Sequence, residues 1–170
     1  MPVSAGRFRA VFGSFPTAVS IVTTVGPGGE PQGFTCNAVS AVSADPPLLL
    51  VCADKRSRTL AALLASGVFV LNVLADGGQE TALRFAGKGE RKFAGLRWRP
   101  SAAAGGAPVL LDGVLTAAEC LVVDRLEAGD HWVLIGSVEA ADVLDRVPVL
   151  HHRGVFAPWG VRARVAGGAP

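Results

Sequence analysis

Apolar and polar positions alternate over much of the chain, which predicts a domain made mostly of β-strands. Residues Ala18 to Val25 alternate and are rich in β-branched side chains, and Gly26 to Gly29 supply a hairpin turn. We expect the returning strand over Gln32 to Ser43, its end at Asp45-Pro46-Pro47, and a third strand over Leu48 to Ala53. Further strands are predicted over Val68 to Leu74, Gly113 to Leu126, His131 to Leu144 and Val149 to Phe156.

Three short helices are predicted among these strands. The first has Ser4 as its N-cap and runs through Phe15, because its large apolar residues recur every three or four positions. The second covers Ser57 to Ala65 and stops at Gly67, and the third covers Gln79 to Phe85. Since strands and helices do not alternate strictly, the pattern favours a β-barrel with helical decoration over a doubly wound parallel sheet.

Composition and charge indicate one folded domain without a basic surface. The 170 residues include 16 Lys and Arg against 14 Asp and Glu, for a net charge of +2, and half of them are apolar. So few charges exclude a disordered chain, and the lack of a basic excess argues against binding to nucleic acid. We expect one domain over residues 1–160 and a loose tail over 161–170, where Arg, Ala and Gly show no periodicity.

The chain is apolar for its size, with a mean hydropathy of +0.42. Either a core rich in Ala, Val and Leu or a buried subunit interface would account for this value. The uncharged stretch over 10–29 is interrupted by Gly and Pro, and the one over 59–75 is shorter than the roughly 20 residues that span a bilayer. We therefore expect a soluble, cytoplasmic protein with no membrane partner.

The spacing of the polar residues and cysteines indicates neither a metal site nor a catalytic nucleophile. The three cysteines are widely separated, lack a CxxC pair and stand among apolar residues, which is typical of buried reduced thiols. No serine lies in a GxSxG motif, and neither GxGxxG nor GxxxxGK[ST] occurs. If the chain is an enzyme, we expect a cofactor to carry the reactive step.

Four segments carry residue types that a scaffold alone does not need. Small and hydroxyl-bearing residues over Gly33 to Ser40 would let a flat ligand lie against the backbone. Cations and hydroxyls over Cys52 to Thr59 lead into a predicted helix, where an anion such as phosphate is favoured; a solvated turn with Ser57 as N-cap is the alternative. The other two segments are Phe15 to Ala18, where a helix ends on a proline, and Gly129-Asp130-His131, whose histidine is a candidate ligand contact, pH-sensitive acid or polar strand end.

These motifs, in their order along the chain, resemble the short-chain flavin reductase family, the reductase components of two-component flavin-dependent monooxygenases. The resemblance extends from about Arg9 to Phe156. It rests on Phe15 to Val19, Gly33 to Ser43, Asp45 to Leu48, Ser66 to Leu74, Arg84 to Ala86, Lys92 to Gly95, Gly129 to His131 and His152 to Gly154. The fold that it implies is mainly β with short helices: a split β-barrel of the FMN-binding type with a Greek-key core, forming a homodimer with flavin near the subunit interface.

The resemblance also implies two sets of site residues. The cofactor-binding residues on the flavin side would be Thr35, Cys36, Asn37, Ala38, Ser40, Cys52, Ala53, Asp54, Ser57, Thr59, Phe85 and Lys92, with charge added by Lys55, Arg56 or Arg58. The nicotinamide nucleotide would contact Pro16, Thr17, Ala18 and His131, with help from Arg153. His131 is the candidate catalytic residue, with a positioning or electrostatic role, because hydride transfer needs no side-chain nucleophile.

The function implied is that of an NAD(P)H:flavin oxidoreductase. A hydride would pass from NADH or NADPH to FMN or FAD, and the reduced flavin would diffuse to a partner monooxygenase. Asn37 and Ala38 stand where the family often has hydroxyl residues, and Ala18 stands where it often has glycine, which leaves open the choice between FMN and FAD. The alternatives are a non-catalytic flavin-binding split-barrel module and a split barrel that handles haem or pyridoxal phosphate.

Overall fold

The computed structural model describes residues 1–160, so the predicted tail over 161–170 lies outside the described residues. The helices are α1 (Ala5–Phe12), α2 (Leu60–Ser66) and α3 (Gln79–Ala86). The strands are β1 (Thr17–Ala18), β2 (Ser20–Val25), β3 (Pro31–Cys36), β4 (Val39–Ala44), β5 (Pro47–Asp54), β6 (Val68–Leu74), β7 (Trp98–Pro100), β8 (Pro108–Leu110), β9 (Val114–Ala128), β10 (His131–Val143), β11 (Val149–His152) and β12 (Val155–Pro158). Within residues 1–160, none of the helices is long and apolar enough to cross a membrane.

The main sheet is antiparallel and has seven strands in the order β3-β2-β6-β9-β10-β5-β4. Strand β6 returns over a long connection to lie beside β2, which is the kind of connection that defines a Greek key. Two small sheets accompany the main one, β1-β11-β12 and the hairpin β7-β8. The prediction of a mainly β fold with short helices is confirmed.

The prediction of a single strand from Gln32 to Ser43 is wrong. The segment forms two strands, because β3 pairs with β2 while β4 pairs with β5, at opposite ends of the strand order. Only Asn37 and Ala38 separate these two strands, so the two edges of the sheet must lie close together. They are not joined by a ladder of hydrogen bonds, so the barrel is split, and we call this gap between β3 and β4 the seam.

The prediction of one last strand from Val149 to Phe156 is also wrong. Strands β11 and β12 form a hairpin whose two turn residues, Arg153 and Gly154, have φ angles of 49° and 83°. Two left-handed residues are what a tight two-residue hairpin turn requires. On its other side β11 pairs with β1, in which Thr17 lies opposite His151.

Helix α1 is shorter and less buried than its spacing predicts. Ser4 is its N-cap as expected, and the hydroxyl oxygen accepts a hydrogen bond from the backbone N–H of Arg7 at 3.2 Å. The helix ends at Phe12 rather than Phe15, and it buries none of its residues. The centroids of the Phe8 and Phe12 rings lie 4.5 Å apart, so these side chains contact each other. Both remain exposed to solvent, because the rest of the chain does not cover this apolar face.

The strands that carry the site are held by one buried core. Val51 of β5, Leu134 of β10 and Phe69 of β6 are fully buried together with Leu63 of α2. Gly136 leaves room for the Phe69 ring, because a Cβ atom there would lie 2.6 Å from the ring. The ends of β5 and β10 therefore have fixed positions relative to each other.

Candidate functional site

A cavity of about 590 Å³ lies at the seam, within the size range of small-molecule sites. The seam residues form one wall, the end of β5 and the segment after it form a second, and the end of α3 with its following loop forms a third. The lining residues are Phe34, Thr35, Cys36, Asn37, Ala38, Cys52, Asp54, Arg56, Ser57, Arg58, Phe85, Ala86, Gly87, Lys88, Lys92 and His131.

The wall at the seam consists of backbone and small side chains. The Thr35 hydroxyl donates to the carbonyl of Ala82 in α3, so it anchors the wall rather than offering a proton to a ligand. The Cys36 thiol lies 3.6 Å from the carbonyl of Ala38 and 3.5 Å from that of Cys52. Burial raises the pKa of Cys36 to about 11, so this thiol is a neutral part of the wall. Asn37 is exposed at the cavity edge.

The cations after β5 are not equivalent. Lys55 pairs with Glu127, and Arg56 donates to both carboxylate oxygens of Asp54, at 3.1 Å from Nε and 2.7 Å from Nη2. The hydrogen bonds from Arg56 hold the pKa of the Asp54 carboxyl below its usual range. Within residues 1–160, Arg58 has no carboxylate within 4.0 Å. Arg58 is therefore the cation of this segment with its charge available.

Helix α2 begins three residues later than predicted. It starts at Leu60 rather than Ser57, because Ser57 to Thr59 form a turn in which the Ser57 hydroxyl accepts from the Thr59 N–H at 3.3 Å. The Thr59 hydroxyl donates to the carbonyl of Gly33 at 3.2 Å, and Thr59 is buried. Ser57 lines the cavity and Thr59 supports the wall behind it.

The third wall is fixed by Phe85 and Lys92. The Lys92 ammonium donates to the carbonyls of Gly33 at 3.1 Å and of Phe85 at 2.8 Å. Burial, with a smaller contribution from the charge of Arg58, lowers the pKa of Lys92. The Phe85 ring lies against Gly33, where a Cβ atom would come within 2.9 Å of it, so glycine is needed for this close approach. Lys92 joins this wall to β3.

His131 lies at the start of β10, where the register places it opposite Asp54 of β5. Its Nδ1 atom is 2.7 Å from a carboxylate oxygen of Asp130, the residue before it in the β9–β10 turn. The hydrogen bond with His131 lowers the pKa of the Asp130 carboxyl. The Gly129-Asp130-His131 motif thus brings an imidazole to the cavity, with a carboxylate within hydrogen-bond distance of it.

Several predicted contacts lie elsewhere in the chain. Thr17 and Ala18 form β1, Pro16 directly precedes it, and Arg153 lies in the β11–β12 turn; none of the four lines the cavity. Ser40 is exposed on β4, and Ala53 is fully buried in the core. Along β5, Cys52 and Asp54 line the cavity while Ala53 points away, as the alternation of side chains in a strand requires. The ligand roles of these outlying residues stay predictions.

The structure adds lining residues that sequence reasoning did not assign. They are Phe34, Ala86, Gly87 and Lys88. Phe34 directly precedes the predicted contact Thr35, and Ala86 to Lys88 are the three residues that follow Phe85. Extending each predicted contact by up to three residues would have found them.

An antiparallel barrel with a ligand-sized cavity at its seam defines a ligand-binding split barrel. The chain belongs to the family of flavin reductase-like domains, whose family model matches residues 12–160. It is 45% identical to a flavin reductase (NADH) of Kitasatospora aureofaciens over 161 residues, covering 94% of this chain and 84% of that protein. It is 40% identical to the reductase subunit HsaB of a flavin-dependent monooxygenase of Rhodococcus jostii over 164 residues, covering 90% and 82%.

Solved structures show the same fold. The nitrilotriacetate monooxygenase component B homologue of Mycobacterium thermoresistibile superposes with a TM-score of 0.84 at 41% identity, covering 91% of this chain and 86% of that one. The NADH:FAD oxidoreductase SgcE6 of Streptomyces globisporus C-1027 gives a TM-score of 0.86 at 33% identity, covering 95% and 96%. SgcE6 has also been solved in complex with NAD and FAD fragments.

We expect Cys52 to be the thiol of the folded chain that reacts with an alkylating reagent. Its side chain is partly exposed to the cavity, whereas burial raises the pKa of Cys36 to about 11 and that of Cys120 to about 12. Burial also raises the pKa of Cys52, so its reaction at about pH 8 should be slower than that of free cysteine. Peptide mass spectrometry after iodoacetamide treatment measures the labelling. Cys52→Ser should abolish it and Cys120→Ser should not, while rapid labelling of Cys36 would contradict the expectation.

Proposed function

We propose that the chain is an NAD(P)H-dependent flavin reductase that reduces FMN or FAD and supplies reduced flavin to a partner monooxygenase. The observation that carries this proposal is the cavity at the seam, which is lined by most of the residues that the resemblance assigns to flavin. Relatives named NADH flavin reductase and monooxygenase reductase subunit support the activity and the class of partner.

The chemistry of the cavity fits a flavin. Along the seam, the wall consists of backbone and of small side chains such as Ala38 and Cys52. Because these side chains do not project far, a flat ring can lie against this wall. Ser57, Arg58 and Lys88 offer a hydroxyl and two exposed cations, which suit the phosphate of FMN or the pyrophosphate of FAD. The proposed flavin would therefore lie with its ring toward the seam and its phosphate toward Arg58.

A bound flavin would accept a hydride from the nicotinamide ring, and the protein contributes by aligning its ligands. Hydride transfer does not call on the thiols of Cys36 and Cys52 as nucleophiles, and burial raises the pKa of each. The ammonium of Lys92 is committed to two carbonyls and holds the wall in place. His131 also lines the cavity, and because the resemblance assigns it to the nicotinamide nucleotide, we give it the role of orienting that ligand.

We also propose that the chain works as a homodimer. The exposed apolar face of α1 directly precedes β1, which carries Thr17 and Ala18, two of the predicted nicotinamide contacts. Exposed apolar residues that cluster on one face are typical of an interaction surface. A second copy of this chain would cover the α1 face and bring the β1-β11-β12 sheet into a shared interface.

Purified protein should oxidise NADH or NADPH when FMN or FAD is present in excess, seen as loss of the nicotinamide absorbance band. If the protein binds flavin but oxidises neither NADH nor NADPH with either FMN or FAD, it is instead a non-catalytic flavin-binding module. If the absorbance spectrum of the purified protein shows bound haem or pyridoxal phosphate, both the reductase and the flavin-binding module are contradicted.

His131→Ala should raise the KM for the nicotinamide nucleotide while leaving the Kd for flavin nearly unchanged.

Arg58→Ala should weaken FMN binding by about tenfold or more, because a charge-assisted hydrogen bond to phosphate contributes about 1.5–3 kcal/mol. Arg56→Ala is the matched control and should change the Kd less, since the guanidinium of Arg56 is already bonded to Asp54. Quenching of flavin fluorescence measures both Kd values. Riboflavin, which lacks the phosphate, should bind the two variants equally; a larger loss of FMN affinity in Arg56→Ala would refute the assignment.

Sedimentation equilibrium should give a mass of twice the 17.4 kDa of one chain. The double substitution Phe8→Ser with Phe12→Ser should shift the mass toward the monomer without unfolding the domain, because α1 buries none of its residues within the chain. Val143→Ser removes a side chain that is 81% exposed on β10 and serves as the control. A monomeric wild-type protein would overturn the dimer.

A further inference from the structure

The environment of His131 is asymmetric. Its Nδ1 atom lies 2.7 Å from Oδ1 of Asp130, and within residues 1–160 its Nε2 atom makes no hydrogen bond. The ring lines the cavity and is partly exposed. One nitrogen is therefore committed to the protein and the other is left for a ligand.

Asp130 decides which nitrogen carries the hydrogen. The hydrogen bond with His131 lowers the pKa of Asp130, so its carboxyl group is ionised at neutral pH. An ionised carboxylate can only accept hydrogen bonds, so Nδ1 of His131 must be the donor. A neutral imidazole has a single N–H, and with that hydrogen on Nδ1 the Nε2 atom is an acceptor.

The other carboxylate near His131 does not compete for this role. Asp54 lies opposite His131 across the β5–β10 pair, but its oxygens already accept from the backbone N–H of Arg56 at 2.7 Å and from the Arg56 guanidinium. Asp130, in contrast, is held in place by its backbone, because its carbonyl accepts from the N–H of Lys55 at 3.0 Å. The backbone of the β9–β10 turn is therefore tied to the segment after β5, and the Asp130 carboxylate lies within hydrogen-bond distance of Nδ1.

We propose that Asp130 is a positioning residue that fixes the tautomer of His131 and makes Nε2 a hydrogen-bond acceptor for the substrate. This inference rests on the proposed flavin reductase function. The group that such an acceptor recognises is an N–H donor, and the nicotinamide ring carries one in its carboxamide NH₂. By accepting a hydrogen bond from that NH₂, His131 would set the orientation of the carboxamide. It would thereby determine which face of the nicotinamide ring is turned toward the flavin.

The tautomer can be read directly by nitrogen NMR of the full ¹⁵N-labelled chain at about pH 8.5, where an ordinary imidazole is neutral. The chain has three histidines, and the signals that vanish in His131→Gln identify those of His131. In the wild type we expect hydrogen on Nδ1 and none on Nε2. In Asp130→Ala we expect the Nε2–H form to appear, whereas Asp130→Asn, which keeps a carbonyl acceptor, should retain much of the wild-type pattern.

Glu127→Ala is the matched control, because it removes a carboxylate of the same hairpin that pairs with Lys55 and not with His131. It should leave the tautomer unchanged. Hydrogen on Nε2 in the wild type, or an unchanged tautomer in Asp130→Ala, would overturn the proposal.

Kinetics provide the second readout. Asp130→Ala should raise the KM for NADH by about three- to tenfold, the effect of one hydrogen bond, with a smaller change in kcat and none in the Kd for flavin. Equal losses in KM and flavin affinity would contradict a role through His131. If the wild type did not oxidise NADH while its tautomer was as expected, the proposed function and the role of Nε2 toward nicotinamide would fail, and only the control of the tautomer by Asp130 would stand.

Discussion

The link of two residues between β3 and β4 is the constraint on which the rest of the structure depends. From Cys36 to Val39 the chain takes three Cα steps, which span at most about 11 Å, yet the two strands lie at opposite ends of a seven-stranded sheet. The sheet must therefore roll until its edges nearly meet. Because β3 and β4 pair with other strands, the two edges stay unjoined and a seam is left between them.

The remaining walls of the cavity are tied to this seam by a few hydrogen bonds. The carbonyl of Gly33 accepts from both Thr59 and Lys92, so one backbone oxygen joins β3 to the turn before α2 and to the loop after α3. On the other side, the N–H of Cys52 donates to the carbonyl of Ala38 at 3.0 Å and connects the link to β5. Some residues, such as Lys92, both line the cavity and hold its walls, whereas the buried Thr59 only supports a wall from behind.

Sequence reasoning predicted those parts of the fold that depend on side-chain pattern. Strand β6 and the long hairpin of β9 and β10 occur close to where alternation places them. The seam and the β11–β12 hairpin were missed, because alternation continues through a segment even when its pairing partner changes or a tight turn at Arg153 interrupts it. In the site, the motifs identified the segments, but only the structure separates Cys52, which faces the cavity, from Ala53, which faces the core.

The exposed cations of the cavity have a consequence for how long a ligand stays. Arg58 and Lys88 are exposed, and at physiological ionic strength the Debye length is about 8 Å, so mobile ions in solution compete with them for an anion. The residence time of a phosphate-bearing ligand would then shorten as the salt concentration rises. For a protein whose proposed product must leave in order to be used, weak and screened attraction at the exit is better suited than a deeply buried anion site.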